Sequence, residues 1–143
     1  MINLSTITAG IETILNANLS GYTIERNPRR NVDPNLAAKG KGWIGIYRGM
    51  LSYMPHTTGA TPWLATIAAR VEIQVASMRS GEDAEDKLQE AETEVMEVLA
   101  DNLTLNGTVN MTMGYEITYE TNEDEQVFYH AALITIKAEV RTG

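Results

Sequence analysis

The order of secondary-structure elements in the second half of this chain constrains its fold more than any other feature. Residues 67–77 alternate between apolar and polar side chains, which is the period of a half-buried strand. A helix is predicted to follow, because Ser80 stands at an N-cap position with Asp83 three residues later, a variant of the capping box. Two further strands are predicted, an alternating one at 111–120 and an apolar one at 127–140. The order strand, helix, strand, strand predicts an α+β domain.

The first half predicts one more helix and two more strands. Residues 4–19 carry apolar side chains at helical spacing, and Asn3 is placed as the N-cap. Strands are predicted at 22–26 and at 43–48, the second of which is flanked by glycines. A chain of 143 residues suits a single domain spanning residues 1–143. We therefore expect one mostly antiparallel β-sheet packed against two helices, with long loops.

Two long segments without periodicity interrupt the first half. Residues 27–42 and 49–62 contain all four prolines of the chain together with several glycines, which disfavour regular structure. Loops of this length in a compact domain usually bind something, so both are predicted to be mobile loops that become ordered on assembly. The candidate interface residues are the basic, apolar and imidazole side chains of these loops and their border: Arg29, Arg30, Lys39, Lys41, Met54, His56 and Trp63.

Charge is unevenly distributed along the chain. Six of the eleven basic residues lie within residues 26–48, whereas the helix around residues 82–101 carries nine carboxylates and the single cation Lys87. One interpretation is a solvated helix whose first-turn carboxylates face the positive end of its dipole. The alternative is self-complementarity, in which the basic loop of one copy meets the acidic helix of the next in a head-to-tail ring.

The sequence lacks the usual signatures of an enzyme. It has no phosphate-binding or dinucleotide-binding glycine motif, no nucleophile elbow and no zinc-protease motif. The absence of cysteine excludes thiolate chemistry and Cys-ligated zinc, and His56 and His130 are far apart in the sequence. We therefore predict a protein that is not an enzyme, with no cofactor and no metal site.

Partners are constrained by charge and hydropathy. No apolar run is long enough to cross a bilayer, and no signal peptide is recognisable, so we expect no membrane partner and a cytoplasmic location. A net charge of −8 opposes stable binding to a phosphate backbone. DNA is expected to be at most a transient contact.

A family resemblance covers nearly the whole chain. The segments that carry it are the strand W-I-G-I-Y at 43–47, the long strand A-R-V-E-I-Q-V-A-S at 69–77, the acidic helix, and the closing pair M-G-Y-E-I-T-Y-E and Y-H-A-A-L-I-T-I-K-A-E-V. In length, element order and strand character the chain resembles the tail-terminator, or tail-completion, proteins of long-tailed bacteriophages.

The resemblance implies a structural virion protein. Such a protomer would form a hexameric ring at the head-proximal end of the tail tube, with the tail tube protein and the head–tail connector protein as partners. Assembly would take place in the bacterial cytoplasm, and DNA would pass through the lumen. Two alternatives remain open: another neck or head-completion component, such as a stopper or adaptor, and an unrelated cytoplasmic enzyme or small-molecule binding module.

Overall fold

The α+β architecture expected from the sequence is present in the computed structural model, which describes residues 3–28, 37–55, 63–124 and 127–142. Two long helices lie on one face of a five-stranded sheet in a single domain. In chain order the elements are α1 (Leu4–Asn18), β1 (Tyr22–Arg26), β2 (Gly42–Pro55), β3 (Trp63–Ser77), α2 (Gly81–Ala100), β4 (Met111–Asp124) and β5 (Val127–Thr142).

Both predicted N-caps are confirmed. The side chain of Asn3 accepts hydrogen bonds from the backbone N–H groups of Ser5 and Thr6 at the start of α1. At the start of α2, the Ser80 hydroxyl accepts from the Asp83 N–H at 3.0 Å. The Asp83 carboxylate accepts from the Ser77 hydroxyl at 2.5 Å, so this side chain ties the helix to the end of β3. Each cap satisfies N–H groups that have no partner within the helix.

The sheet has the strand order β1-β2-β3-β5-β4. β1 pairs with β2 in parallel, and the other three pairings are antiparallel. β5 therefore lies between β3 and β4, although β4 precedes it in the chain. If β2 is taken to run upward, β5 also runs upward, and β3 and β4 run downward.

One predicted loop is shorter than expected. Residues 49–55 were placed in the loop 49–62, but they belong to β2, where Met50 to Pro55 pair with residues 63–68 of β3. A register shift between Tyr47 and Met50 lets the strand continue past Gly49 as a β-bulge. Residues 56–62 of that loop, and 29–36 of the other, lie outside the described residues. Their predicted mobility stays a prediction.

The hydrophobic core lies between the helices and one face of the sheet. Ile7, Ile11 and Leu15 of α1, together with Val95 and Leu99 of α2, pack against this face and are almost fully buried. The sheet contributes the buried side chains Ile44, Ile46, Val71, Ile73, Val75, Ala132, Ile134 and Ile136. Burying a large aliphatic side chain contributes about 1.5–3 kcal/mol, so this cluster supplies most of the driving force for folding.

The opposite face of the sheet carries mainly polar side chains. Trp43 is an exception: it is fully buried, and its ring lies over Gly45, where an added Cβ would be 2.3 Å from Cη2 of the indole. No helix in the described part of the chain is long and apolar enough to span a membrane.

Candidate assembly surface

β4 forms one outer edge of the sheet. It extends over 14 residues and has β5 as its strand neighbour within the described residues. An edge strand presents a row of backbone N–H and C=O groups that can pair with another chain, and monomeric proteins usually shorten or cover such edges. Within the described residues no second strand pairs with this edge, although the Leu103 carbonyl bonds to Thr112 near its upper end, so the edge is a candidate surface for assembly.

The upper end of β4 exposes apolar side chains. Met111 and Met113 are 54% and 61% exposed, and Leu103 in the preceding turn is 46% exposed. The backbone carbonyl of Leu103 accepts two hydrogen bonds from Thr112, at 2.9 Å from its N–H and 2.8 Å from its hydroxyl, which places Leu103 beside both methionines. Methionine adapts its shape to irregular partners and is common at binding surfaces.

The alternation read from the sequence grouped these methionines with the half-buried Tyr115 and Ile117. That grouping is wrong for Met111 and Met113, because a bulge between Thr112 and Gly114 shifts the register against β5. The bulge turns Thr112 into the core, where it is 8% exposed, and leaves both methionines outside. The exposed methionines are thus a consequence of the bulge.

The second free edge belongs to the upper part of β2. β1 pairs with residues 42–46 of β2 and ends at Arg26. The backbone N–H of Asn27 then donates to the Ile46 carbonyl at 2.7 Å, and a left-handed φ of 48° at Asn27 ends the extended conformation of β1. From Tyr47 onward, β2 has no neighbouring strand on this side within the described ranges. This segment includes Met50, which is 65% exposed.

The two free edges lie at the same height on the sheet. Strand register gives one row from Met50 through Ala68 and Lys137 to Gly114. Two residues further up, another row runs from Ser52 through Thr66 and Glu139 to Met111. The exposed methionines of the two edge strands therefore lie at the same height along the strands, on opposite lateral edges of the sheet.

The two edges differ in charge. β4 carries Glu116, Glu120, Glu123 and Asp124 and no basic residue, although Glu116 is paired with Lys137 at 2.7 Å. In β2 the segment 47–52 has Arg48 as its one charged residue, and that side chain is exposed. The acidic edge is poorly suited to pairing with itself and well suited to the other edge.

The interface residues predicted from the sequence are only partly described. Arg29, Arg30 and His56 lie outside the described residues. Met54 lies in β2 and Trp63 at the start of β3, opposite Pro55 and Thr142, but their side chains also lie outside the described part. Lys39 is exposed and precedes β2.

Lys41 is engaged within its own chain. Its Nζ lies 3.0 Å from Oε1 of Glu94 on α2 and 5.8 Å from the centre of the Tyr22 ring. The Tyr22 hydroxyl donates a hydrogen bond to the other oxygen of Glu94. Part of the attraction that the sequence suggested between copies is therefore satisfied between β1, α2 and the residue before β2 of one chain.

This cluster shifts three pKa values. Partial burial, reinforced by the hydrogen bond to Glu94, raises the pKa of Tyr22 well above its ordinary value. The Tyr22 hydrogen bond is the main cause that lowers the pKa of Glu94, and the hydrogen bond to Glu94 raises the pKa of Lys41. The neutral phenol, the carboxylate and the ammonium are the forms that the fold stabilises.

A second tyrosine holds α2 from the other edge of the sheet. The Tyr119 hydroxyl of β4 donates to Oε1 of Glu92 at 2.5 Å, which raises the pKa of Tyr119. Glu92 and Glu94 thus connect α2 to the outermost strands on both sides. Solvation was one of the two interpretations of the acidic helix; Glu92 and Glu94 instead position the helix on the sheet of their own chain.

We expect Glu94→Gln to lower the free energy of unfolding by about 1 kcal/mol at neutral pH, because a neutral amide is a weaker partner for Tyr22 and Lys41 in this half-exposed position. Glu94 has a lowered pKa, so its contribution is present above its ordinary value of 4.5 and is lost as the pH falls through the folded-state value. Tyr22 has a raised pKa, so its contribution is present below 10.0 and is lost above it.

The difference between the wild type and the variant should therefore be largest between about pH 5 and pH 10, as measured by urea unfolding across the pH range. Glu97→Gln, an exposed carboxylate of the same helix, is the matched control. A difference that does not change between pH 3 and pH 7 would contradict this role of Glu94.

The described residues also contain acidic clefts along α2. One has a volume of about 320 Å³ between α2, β4 and β5 and is lined mainly by polar side chains, among them Glu85, Glu92 and His130. Another has a volume of about 270 Å³ and is lined by Glu94, Glu97 and Asp101. Within the described ranges, no group of three or more His, Asp or Glu side chains is arranged to hold a metal ion.

No protein-family model and no curated protein sequence matches this chain.

Proposed function

We propose that this protein is a structural component of a long-tailed bacteriophage, a tail terminator. It forms a hexameric ring at the head-proximal end of the tail tube, stops polymerisation of the tube and presents a docking surface to the head–tail connector. The ring assembles in the bacterial cytoplasm and becomes part of the neck of the virion. The resemblance of nearly the whole chain to this family is the source of the proposal.

One observation in the structure carries the assembly part of the proposal: within the described residues, β4 on one side of the sheet and the upper part of β2 on the other have no further strand neighbour. Both edges expose methionine side chains. The β4 edge and the upper β2 edge are different surfaces on opposite lateral sides of one protomer. Such a pair of surfaces suits a heterologous contact, which generates a ring when the rotation between copies closes.

Termination also requires asymmetry along the axis of the ring. A tube grows because each ring exposes the surface that binds the next one, so a terminator must match that surface on one side and differ from it on the other. The upper and lower ends of the strands differ: Tyr47–Ser52 and Met111–Met113 lie at the upper end, and the last residues of β4 and the first residues of β5 lie at the lower end. A ring of parallel protomers would therefore have two unlike faces.

Negative-stain electron microscopy of the concentrated protein tests the ring directly. We expect hollow rings with six-fold symmetry, because a closed heterologous contact gives particles of one size. Compact dimers without a lumen, or open filaments of variable length, would contradict the proposed function.

A further inference from the structure

We infer that the acidic edge β4 of one copy pairs with the upper edge of β2, residues 47–52, of a second copy, in antiparallel orientation, so that the sheets of neighbouring protomers become continuous. The inference rests on the proposed function in one respect, which is that the contact closes into a ring. The strand pairing itself is argued from the edges alone.

Strand direction makes this pairing antiparallel. β2 and β4 run in opposite directions in one protomer, because three antiparallel steps separate them across β3 and β5. Rotation about an axis along the strands preserves these directions. The downward β4 of one copy then meets the upward β2 of the next, and antiparallel pairs are slightly more stable per residue than parallel pairs.

The rows across the sheet predict the register. Ser52 and Met111 occupy the ends of one row, and Met50 and Gly114 occupy the ends of the row two residues below it. In a ring whose copies lie at one height, Met111 therefore meets Ser52 of the next copy, and Met113 lies near its Met50. The exposed apolar side chains Leu103, Met111 and Met113 of one edge are then covered by Met50 of the other.

Charge selects between the two ways in which β4 can pair. Two β4 edges related by a two-fold axis at Thr118 would bring Glu116 of each copy opposite Glu120 of the other, and like charges across a strand pair are destabilising. The β2 edge brings the exposed Arg48 instead. The acidic residues thus oppose the symmetric dimer and favour the head-to-tail contact.

Cysteine crosslinking tests this contact, and no native thiol competes for the crosslinker because the chain has no cysteine. The double variant Ser52→Cys/Met111→Cys, treated with a short bis-maleimide, is expected to give a ladder of covalent oligomers. Its crosslinked yield should be at least about tenfold higher than that of Ser52→Cys/Glu123→Cys, because Glu123 lies at the lower end of β4. The single variants Ser52→Cys and Met111→Cys should not form the ladder, and their mixture should form only dimers.

Several outcomes overturn the inference. A chain that stays monomeric at every concentration, or equal crosslinking of the Met111 and Glu123 pairs, contradicts it. Efficient dimer formation by the single variant Thr118→Cys would show the symmetric β4 contact instead.

Different results contradict the proposed ring and the proposed contact between edge strands. Rings in the microscope without the Ser52–Met111 crosslink leave the proposed function in place and remove this contact. The expected crosslink in open filaments supports the contact and removes the ring.

Discussion

Gly49→Ala is expected to lower the free energy of unfolding by at least about 3 kcal/mol, the upper end of the range for overpacked sites. A Cβ added at Gly49 would be 1.2 Å from the carbonyl oxygen of Ala68 on the neighbouring strand. That contact is with the backbone, so no rotation of a side chain relieves it. The bulge between β2 and β3 would have to be rebuilt.

Gly114→Ala is the matched control, because this glycine also borders a bulge but has no atom within 4 Å of an added Cβ. Its stability should change by less than about 0.5 kcal/mol. Thermal and urea unfolding of both variants measure the difference. Gly49→Ala should also weaken self-assembly in the crosslinking assay, because the bulge shapes the upper edge of β2, and a variant as stable as Gly114→Ala would show that the bulge is not required.

Leu105→Ala is expected to cost about 2–5 kcal/mol, the range for removing a large core side chain. Leu105 is fully buried, and it begins a run of three residues with positive φ: 49° at Leu105, 64° at Asn106 and 78° at Gly107. The turn is closed by Thr104, whose carbonyl accepts from Thr108 and Val109 and whose hydroxyl accepts from Gly107. The buried side chain therefore compensates for an unfavourable backbone conformation.

Because Leu105 has a left-handed backbone conformation, we expect an unusual order of stability among its variants. Leu105→Gly removes the same side chain but relieves the strain between Cβ and the backbone, which is about 1 kcal/mol. It should therefore be at least as stable as Leu105→Ala. At Leu99, fully buried in α2, glycine should instead be less stable than alanine by about 1 kcal/mol. The same order at both positions would contradict the strain at Leu105.

The sequence predicted the elements whose signals are local. Asn3 and Ser80 were placed as N-caps because their side chains act on N–H groups two or three residues away. β1 was placed at residues 22–26, directly after the glycine that ends the preceding helix, and these are the bounds observed; in the structure Gly21 and Asn27 border the strand with positive φ. The helix layer and the mostly antiparallel sheet followed from these elements.

Features that depend on pairing were not predictable in this way. Gly49 ended the strand in the sequence interpretation, but the carbonyl of Ala68 makes it a bulge, and this partner is 19 residues away (68 − 49). The bulge at Thr112 likewise moved Met111 and Met113 out of the half-buried face. The parallel pairing of β1 and β2 has no local signal either.

In the candidate assembly surface, too, the deciding features depend on pairing between distant parts of the chain. Composition drew attention to the basic residues, yet Lys41 is bound to Glu94 of its own chain, which no property of either residue reveals. The free edges are visible only after the strand order is known. The signal available earlier was the unusual number of methionines, seven in 143 residues, of which Met50, Met111 and Met113 lie on the two edges.

The central place of β5 has a consequence for the order of folding. β3 and β4 cannot be joined until residues 127–142, the last of the five strands in the chain, lie between them. Every backbone pair between β3 and β5 closes a chain segment of at least 51 residues (128 − 77), so the centre of the sheet forms late and slowly. Before that step an incomplete chain has β3 and β4 as separate open edges. The edges of β2 and β4 are therefore aligned with each other only in the completed sheet. Pairing of β5 thus links folding of the protomer to its ability to assemble.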